Sequence, residues 1–390
     1  MRPGQEETVR TVIAGRDTLA VQPTGSGKSA IYQAAGLLMP GITVVVSPLI
    51  ALQKDQMEAI NEQPHDARAV TINSTLRAAE MRKTLAAIES GEVEFVLLAP
   101  EQLRNQELVE ALRRAAPSLL VVDEAHCISE WGHDFRRDYT LLGSVCEALG
   151  RPVVLALTAT ASPVVRRDIC EQLGLRDPAV FVRGFDRPNI SLRVDTFHSA
   201  DDKLTSLMSR VRFAEKPGIV YVATRKNAEK VMSALRESGV ESLFYHGGLK
   251  AAERAEIQNR FMKGEDEQVL VATNAFGMGI DKADIRFVYH FDICDSLDSY
   301  YQEVGRAGRD GEPADAVLFY RAEDLGLRRF QGGESKKDRV DLMQRYAELT
   351  TCRRAFLLEY FGEPFAGPCG CCDNDATVGA DGVRRVVTVE

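Results

Sequence analysis

QPTGSGKSAIYQ, Gln22 to Gln33, decides how the rest of the chain is read. The apolar run Thr18 to Val21 precedes it and a second, Ala34 to Met39, follows. A strand that enters a glycine-rich turn and then a helix aims backbone N–H groups and a helix N-terminus at one spot, which suits a polyphosphate. Thr24, Gly25, Ser26 and Gly27 would cradle it, Lys28 would reach the β and γ phosphates, and the Ser29 hydroxyl would ligate Mg2+. The strict phosphate-loop pattern opens with glycine, whereas Gln22 stands there in this chain, so Gly27-Lys28-Ser29 needs support from elsewhere.

Around this loop, short apolar strands alternate with amphipathic stretches. Strands are expected at Thr18 to Val21, Ile42 to Val46, Ala69 to Ile72, Phe95 to Leu98, Leu119 to Val122 and Val153 to Leu157, with helices such as Leu52 to Glu62 and Leu76 to Ser90 between them. Unbroken Val/Leu/Ile runs separated by helices indicate a parallel sheet covered on both faces, with ligand chemistry at the carboxyl ends of the strands. The polar residues gather at those ends. Leu119 to Val122 runs straight into Asp123-Glu124-Ala125-His126, and Val153 to Leu157 ends in Thr158-Ala159-Thr160. In a nucleotide hydrolase the first carboxylate of such a pair holds Mg2+ and the second polarises the attacking water.

A second alternation begins after Arg187-Pro188-Asn189, where Gly184 and Pro188 mark a hinge. Strands are expected at Gly218 to Ala223, Ser242 to Tyr245, Gln268 to Ala272, Ile285 to Phe291 and Ala314 to Phe319, and helices at Lys226 to Ser238 and Ala251 to Met262. This half has no phosphate loop of its own. It does carry Arg306 and Arg309, three apart among glycines, a spacing that puts both guanidinium groups on one side of a helix end. They could act as arginine fingers on a nucleotide held by the first half, although by itself RAGR reads more simply as a solvated basic turn.

Composition sets the bounds. The 390 residues are too many for one ordinary core, and 45% hydrophobic with 27% charged residues is ordinary globular usage. A net charge of −9 argues against a wholly basic nucleic-acid coat but leaves room for a local basic groove. No run reaches transmembrane length and no basic-then-apolar export signal opens the chain, so a cytoplasmic protein without membrane contact is expected. Of eight cysteines, Cys127, Cys146, Cys170 and Cys294 are scattered and expected as buried thiols, while Cys352, Cys369, Cys371 and Cys372 crowd the C-terminus.

In order, PTGSGKS, VVVSPLIALQKDQ, LLAPEQL, DEAHCISEWGHDFRRDY, LALTATA, VLVATNAFGMGIDKADIRFVYHFD and YYQEVGRAGRDG resemble the motif series of the RecQ family of DNA helicases, from about residue 1 to 312. The specific part is CISEWGHDFR, similar to the aromatic-rich loop of that family. The resemblance implies two tandem RecA-like α/β domains with parallel sheets and a small helical zinc-binding module, divided as 1–189, 190–333 and 334–378 with a tail at 379–390. It implies a monomeric ATP-dependent motor for DNA repair and recombination that moves 3′ to 5′ on single-stranded DNA and unwinds partly duplex DNA, with ATP hydrolysed at the interdomain cleft. Lys28, Asp123, Glu124, Arg306 and Arg309 would be catalytic, with Asp123 and Ser29 on Mg2+. Asp281 would touch the nucleotide and the DNA strand, and Arg2 and Gln5 resemble the pair that recognises adenine.

The loop chemistry agrees with this. Trp131, the single tryptophan, stands with His133, Phe135, Arg136 and Arg137 among polar neighbours that make full burial expensive, and together they form a stacking platform for unpaired bases. His126 would relay strand binding to the Mg2+ and water positions, and Ser47, Arg225 and Thr273 resemble DNA backbone contacts.

At the C-terminus, Lys337 to Phe361 reads as one long helix carrying Cys352, followed by Cys369-Gly370-Cys371-Cys372-Asp373-Asn374-Asp375. A cysteine on a helix and a C-x-x-C knuckle suit a tetrahedral structural Zn2+. The family segment has four cysteines, and aligning Cys352, Cys369 and Cys372 leaves Asp375 in the fourth place. Asp375 completes the site, or Cys371 substitutes, or the metal has been lost. An RNA-directed DEAH ATPase and a non-catalytic DNA-binding or assembly module are the competing readings.

Overall fold

A computed structural model of the protein describes residues 4–23, 25–63, 67–132, 134–264, 268–277, 282–326, 337–375, 377–378 and 384–385. The chain divides into two compact units, Met1–Phe185 and Asp186–Glu390.

In the first unit, helix α1 (Gln5–Ile13) precedes seven strands: β1 (Thr18–Val21), β2 (Thr43–Val46), β3 (Ala69–Ile72), β4 (Phe95–Leu98), β5 (Leu119–Val122), β6 (Val153–Thr158) and β7 (Ala179–Val182). They form one parallel sheet in the order β3-β4-β2-β5-β6-β1-β7. Helices α2 (Lys28–Leu38), α3 (Ile50–Asn61), α4 (Ala78–Glu89), α5 (Gln106–Arg114), α6 (Leu142–Ala148) and α7 (Pro163–Gln172) make the crossovers. Every residue of β1, β2, β4 and β5 is buried, which is why these runs lack hydrophobic-polar alternation. The register sets Val21 beside Thr158, Ala156 beside Val122 and Val122 beside Val46, so four strand ends open on one edge of the unit.

The second unit repeats the plan with β8 (Ile190–Thr196), β9 (Gly218–Tyr221), β10 (Ser242–Tyr245), β11 (Val269–Ala272), β12 (Phe287–His290) and β13 (Ala314–Tyr320), in the parallel order β10-β11-β9-β12-β13-β8. Helices α8 (Ala200–Phe213), α9 (Arg225–Glu237), α10 (Ala251–Lys263) and α11 (Leu297–Val304) belong to this sheet. The expected strands fall where the apolar runs placed them. Two strands were not anticipated: β7, whose residues are mostly half-buried, and β8, whose buried and half-buried residues alternate. Both are edge strands; a search for unbroken apolar runs passes over β8, whereas β7 is such a run, Ala-Val-Phe-Val.

The C-terminal segment departs from expectation in one respect. Lys337 to Phe361 forms two helices, α12 (Lys337–Ala347) and α13 (Arg353–Tyr360). The break falls at Cys352, which acts as N-cap of α13, its Sγ accepting from the Ala355 N–H at 3.5 Å. Asn374 closes the gap by donating to the carbonyls of Leu349 and Thr351 at 2.7 Å each. Thr377–Val378 pairs antiparallel with Arg384–Arg385. Among the described residues, no helix is long and apolar enough to cross a membrane.

Strand β9 sits between β11 and β12, and a Cβ on Gly218 would come 2.1 Å from the Phe287 ring. Gly218→Ala is therefore expected to overpack this sheet and lower the stability of the second unit by about 2 kcal/mol. Urea unfolding checks this, and adding Phe287→Leu should recover part of the loss.

Candidate nucleotide and metal sites

The phosphate loop is built by backbone conformation. Gly25 and Gly27 have φ of 79° and 80°, the left-handed region that glycine enters without steric cost. Helix α2 starts at Gly27 with no side-chain cap, so the N–H groups of its first turn are not claimed by a capping side chain. Lys28 Nζ donates to the Gln22 carbonyl at 3.3 Å, and the Gln22 N–H donates to the Thr158 carbonyl at 3.0 Å, tying the loop to the end of β6. Gln5, expected at the adenine, is buried instead and donates to the carbonyls of Ser26 and Gly27 at 2.9 and 3.0 Å. Arg2, Thr24 and Asp281 lie outside the described residues.

At the end of β5, Asp123 accepts from the Glu124 N–H at 3.0 Å and from the Ser47 hydroxyl at 3.4 Å. Ser47, expected on DNA, is thus buried against the carboxylate. Burial first, and the neighbouring Glu124 charge second, push the Asp123 carboxyl up to about 7, with Lys28 opposing them. Glu124 takes φ 49° and ψ 45°, a left-handed conformation that disfavours side chains. His126, expected to relay strand binding to the Mg2+ and water positions, is fully buried. Its Nδ1 lies 2.8 Å from Thr158 Oγ1 and 3.4 Å from Glu124 Oε2, and burial lowers its pKa to about 4, so it is neutral at pH 7.

The aromatic loop is attached to this box through the backbone. Trp131 is 55% exposed and Phe135 half-buried. A Cβ on Gly132 would meet the His126 carbonyl at 2.5 Å, so only glycine permits that approach. The Arg136 N–H donates to the Cys127 carbonyl at 2.8 Å, while its guanidinium pairs with Asp134 at 3.1 Å. Tyr139, fully buried, donates its hydroxyl to the Asp123 carbonyl at 2.9 Å. Gly132 and Tyr139 were missed in the sequence, although both stand inside the quoted motif. His133 lies outside the described residues.

In the second unit, Arg306 is buried and donates to the Gly277 carbonyl, and Arg309 is half-buried. The turn that carries them is held by Arg187 and Asn189, read in the sequence only as a hinge. Arg187 donates to the carbonyls of Ala307 and Gly308 at 2.8 Å each, and Asn189 to those of Gly308 and Glu312 at 2.8 and 2.9 Å. Arg225 is exposed, with its guanidinium over Gly248, where a Cβ would come within 2.4 Å of it. Thr273 is buried at the end of β11, accepting from the Ala275 N–H at 3.4 Å.

The cysteine cluster forms in the same unit. One ligand atom each from Cys352, Cys369, Cys372 and Asp375 lie within 4.8 Å of one another, a donor set and spacing that fit Zn2+. Cys371 borders these four: its Sγ lies 3.5 Å from Cys369 Sγ and accepts from Arg354 at 3.0 Å. Asp123 and the Ser29 hydroxyl offer hard oxygen donors, which suit Mg2+.

Two parallel-sheet units, a glycine-rich loop opening α2 and an acidic pair ending β5 define the class of RecA-like helicase cores. Solved structures share the fold: S. cerevisiae Dbp5 bound to RNA and ADP BeF3 at TM-score 0.61 and 19% identity, covering 88% of this chain and 87% of that one. The helicase MrfA bound to DNA and AMPPNP aligns at TM-score 0.67 and 19% identity, covering 94% and 56%. Family models match residues 2–168 as a DEAD/DEAH box helicase, 201–311 as a helicase conserved C-terminal domain and 327–376 as RecQ zinc-binding. The chain is 41% identical over 383 residues to an ATP-dependent DNA helicase RecQ of Bacillus subtilis, and 38% identical over 384 residues to that of Pasteurella multocida. These alignments take in 96% and 95% of this chain, which spans 64% and 59% of those relatives' length. The chain belongs to the RecQ family.

Because the folded protein binds the Asp123 proton more tightly than the unfolded chain does, the metal-free protein loses stability as pH rises from 3.8 towards about 7. Mg2+ must displace that proton, so its affinity weakens as pH falls. Calorimetric titration with Mg2+ and a non-hydrolysable ATP analogue is expected to give binding about tenfold weaker at about pH 6 than at about pH 8. Asp123→Asn should abolish the difference.

Proposed function

We propose that this chain is the core of an ATP-dependent DNA helicase that translocates 3′ to 5′ on single-stranded DNA and separates duplexes. The observation that carries the reading is the backbone attachment of the Trp131 loop to the acidic box. A base stacked on Trp131 and Phe135 pulls on segments whose carbonyls belong to Asp123, His126 and Cys127. The relatives are named as ATP-dependent DNA helicases, which supports the same substrate and activity.

Residues Gly25 to Lys28 would hold the phosphates, with Thr24 as part of the motif, and Ser29 and Asp123 would hold Mg2+, which would supply charge neutralisation to the phosphates. Glu124 takes the proton from the attacking water, and neutral His126 orients Glu124 through the Nδ1 it shares with Thr158. Arg306 and Arg309 supply positive charge to the transition state. Arg2, Gln5 and Asp281 contribute to nucleotide selection, with Gln5 acting through the loop carbonyls it holds. Arg136, Arg225 and Thr273 serve the DNA strand, and Ser47 acts on it through Asp123. Zn2+ joins Cys352, Cys369, Cys372 and Asp375 into one structural unit. The protein works as a cytoplasmic monomer in DNA repair and recombination.

ATP hydrolysis measured without nucleic acid, with single-stranded DNA and with RNA tests this. Single-stranded DNA should stimulate turnover, and Glu124→Gln should lower kcat by about two to four orders of magnitude. Trp131→Ala with Phe135→Ala should retain basal turnover and lose the stimulation. Stimulation by RNA alone would transfer the assignment to an RNA-directed ATPase, and no turnover under any condition would leave a binding module. Metal analysis should find one zinc per chain, retained by Cys371→Ala and reduced in Asp375→Ala; the opposite pattern would make Cys371 the fourth ligand.

A further inference from the structure

The arginine turn and the cysteine cluster are joined inside the second unit by a buried chain of polar and aromatic contacts. At the metal end, Asp373 follows Cys372 and accepts a bidentate pair from Arg353, with Nη2 at 3.0 Å. Arg353 also donates to the Tyr346 carbonyl at 2.7 Å and lies 5.6 Å from the centre of that ring. Tyr346 on α12 donates its hydroxyl to the Tyr300 hydroxyl on α11 at 3.1 Å, and the two rings are 5.0 Å apart. Both tyrosines are fully buried.

At the other end, α11 has only eight residues and stops at Gly305, so its orientation sets where Arg306 begins. The Arg306 N–H donates to the Glu303 carbonyl at 3.2 Å. The Glu303 carboxylate is clasped from below by His290 Nε2 at 2.9 Å and by the Cys294 thiol at 3.3 Å. His290 stacks on Tyr221 with centroids 5.4 Å apart and meets Tyr300 at a tilt, 5.0 Å away, and the Tyr221 hydroxyl lies against the Arg306 guanidinium.

We infer that the Tyr346–Tyr300 hydroxyl pair positions Arg306, so that order at the cysteine cluster is transmitted to the arginine turn through α11. Tyr300 and Tyr346 are positioning residues, and their importance for hydrolysis rests on the assignment of Arg306 above. The pair is a polar link between α12 and α11 in an otherwise aromatic contact. Removing one hydroxyl leaves the other buried without that partner, whereas removing both leaves two rings that still pack. This sign pattern separates a specific link from general packing.

The test uses the full chain with Tyr346→Phe, Tyr300→Phe and the double variant, followed by amide hydrogen exchange, zinc content and DNA-stimulated ATP turnover. Each single variant should keep one zinc per chain, exchange about fivefold faster across residues 303–308, and lose about fivefold in kcat with KM for ATP within about twofold of the parent. The double variant should be no worse than either single one. Stripping zinc from the parent with a chelator should speed exchange in the same segment. Unchanged exchange at 303–308, losses that add in the double variant, or zinc lost in step with kcat would each overturn the inference. If exchange responds as expected while the parent hydrolyses no ATP, the positioning link stands and the motor assignment falls.

Discussion

A strand buried on both faces can carry a carboxylate only past its last residue, and the first unit depends on that constraint. All four residues of β5 are fully buried, and the chain then delivers Asp123 and Glu124 side by side. Burial, and after it the neighbouring Glu124 charge, penalises the ionised form, which is why Asp123 keeps its proton until near neutrality. The corner therefore favours a divalent cation. The parallel register brings the phosphate loop after β1, Ser47 after β2 and Thr158 at the end of β6 to the same edge, so the elements of a nucleotide site converge without further instruction.

Much of this was legible in the sequence because the relevant signal is crude. Buried parallel strands are continuous apolar runs, and Ala69 to Ile72, Phe95 to Leu98 and Leu119 to Val122 begin and end where those runs do. The edge strand β8 was not legible as an apolar run, since polar residues alternate along it, whereas β7, Ala-Val-Phe-Val, carries the same crude signal as its neighbours and was missed. Residue types at motif positions marked strand ends and loops, but side-chain direction is a property of packing. Gln5 turns inward to the loop carbonyls and His126 towards Thr158, and nothing in a one-dimensional pattern distinguishes those orientations from outward ones.

Backbone carbonyls are the less visible half of both candidate sites. The turn bearing Arg306 and Arg309 presents carbonyl oxygens that Arg187 and Asn189 satisfy from more than a hundred residues away. Gly308, at φ 53°, admits the Asn189 amide where a Cβ would clash at 2.4 Å. The same device recurs at Gly132, whose missing side chain lets the aromatic loop rest on the His126 carbonyl. In both cases glycine is required by a close approach; the partner is remote in sequence at Gly308 and belongs to the same loop at Gly132.

The cysteine cluster extends this logic to the edge of the second sheet. Strand β8 ends the order β10-β11-β9-β12-β13-β8, and an uncovered edge would present unpaired N–H and C=O groups. The knuckle covers part of it: the Leu192 N–H donates to the Cys371 carbonyl at 3.3 Å, and the Asp373 N–H to the Leu192 carbonyl at 3.1 Å. Three thiolates and a carboxylate carry more negative charge than Zn2+ neutralises, and the buried guanidiniums of Arg353 and Arg354 lie nearby, the first paired with Asp373 and the second with Asp186 and Cys371. Cys371 Sγ touches both Arg354 and Cys369, while the Asp375 oxygen lies within 4.8 Å of all three of the other sulfurs. Exchanging a sulfur ligand for an oxygen one keeps the site's charge, so the arginines and the sheet edge they serve have the same electrostatic task in either arrangement.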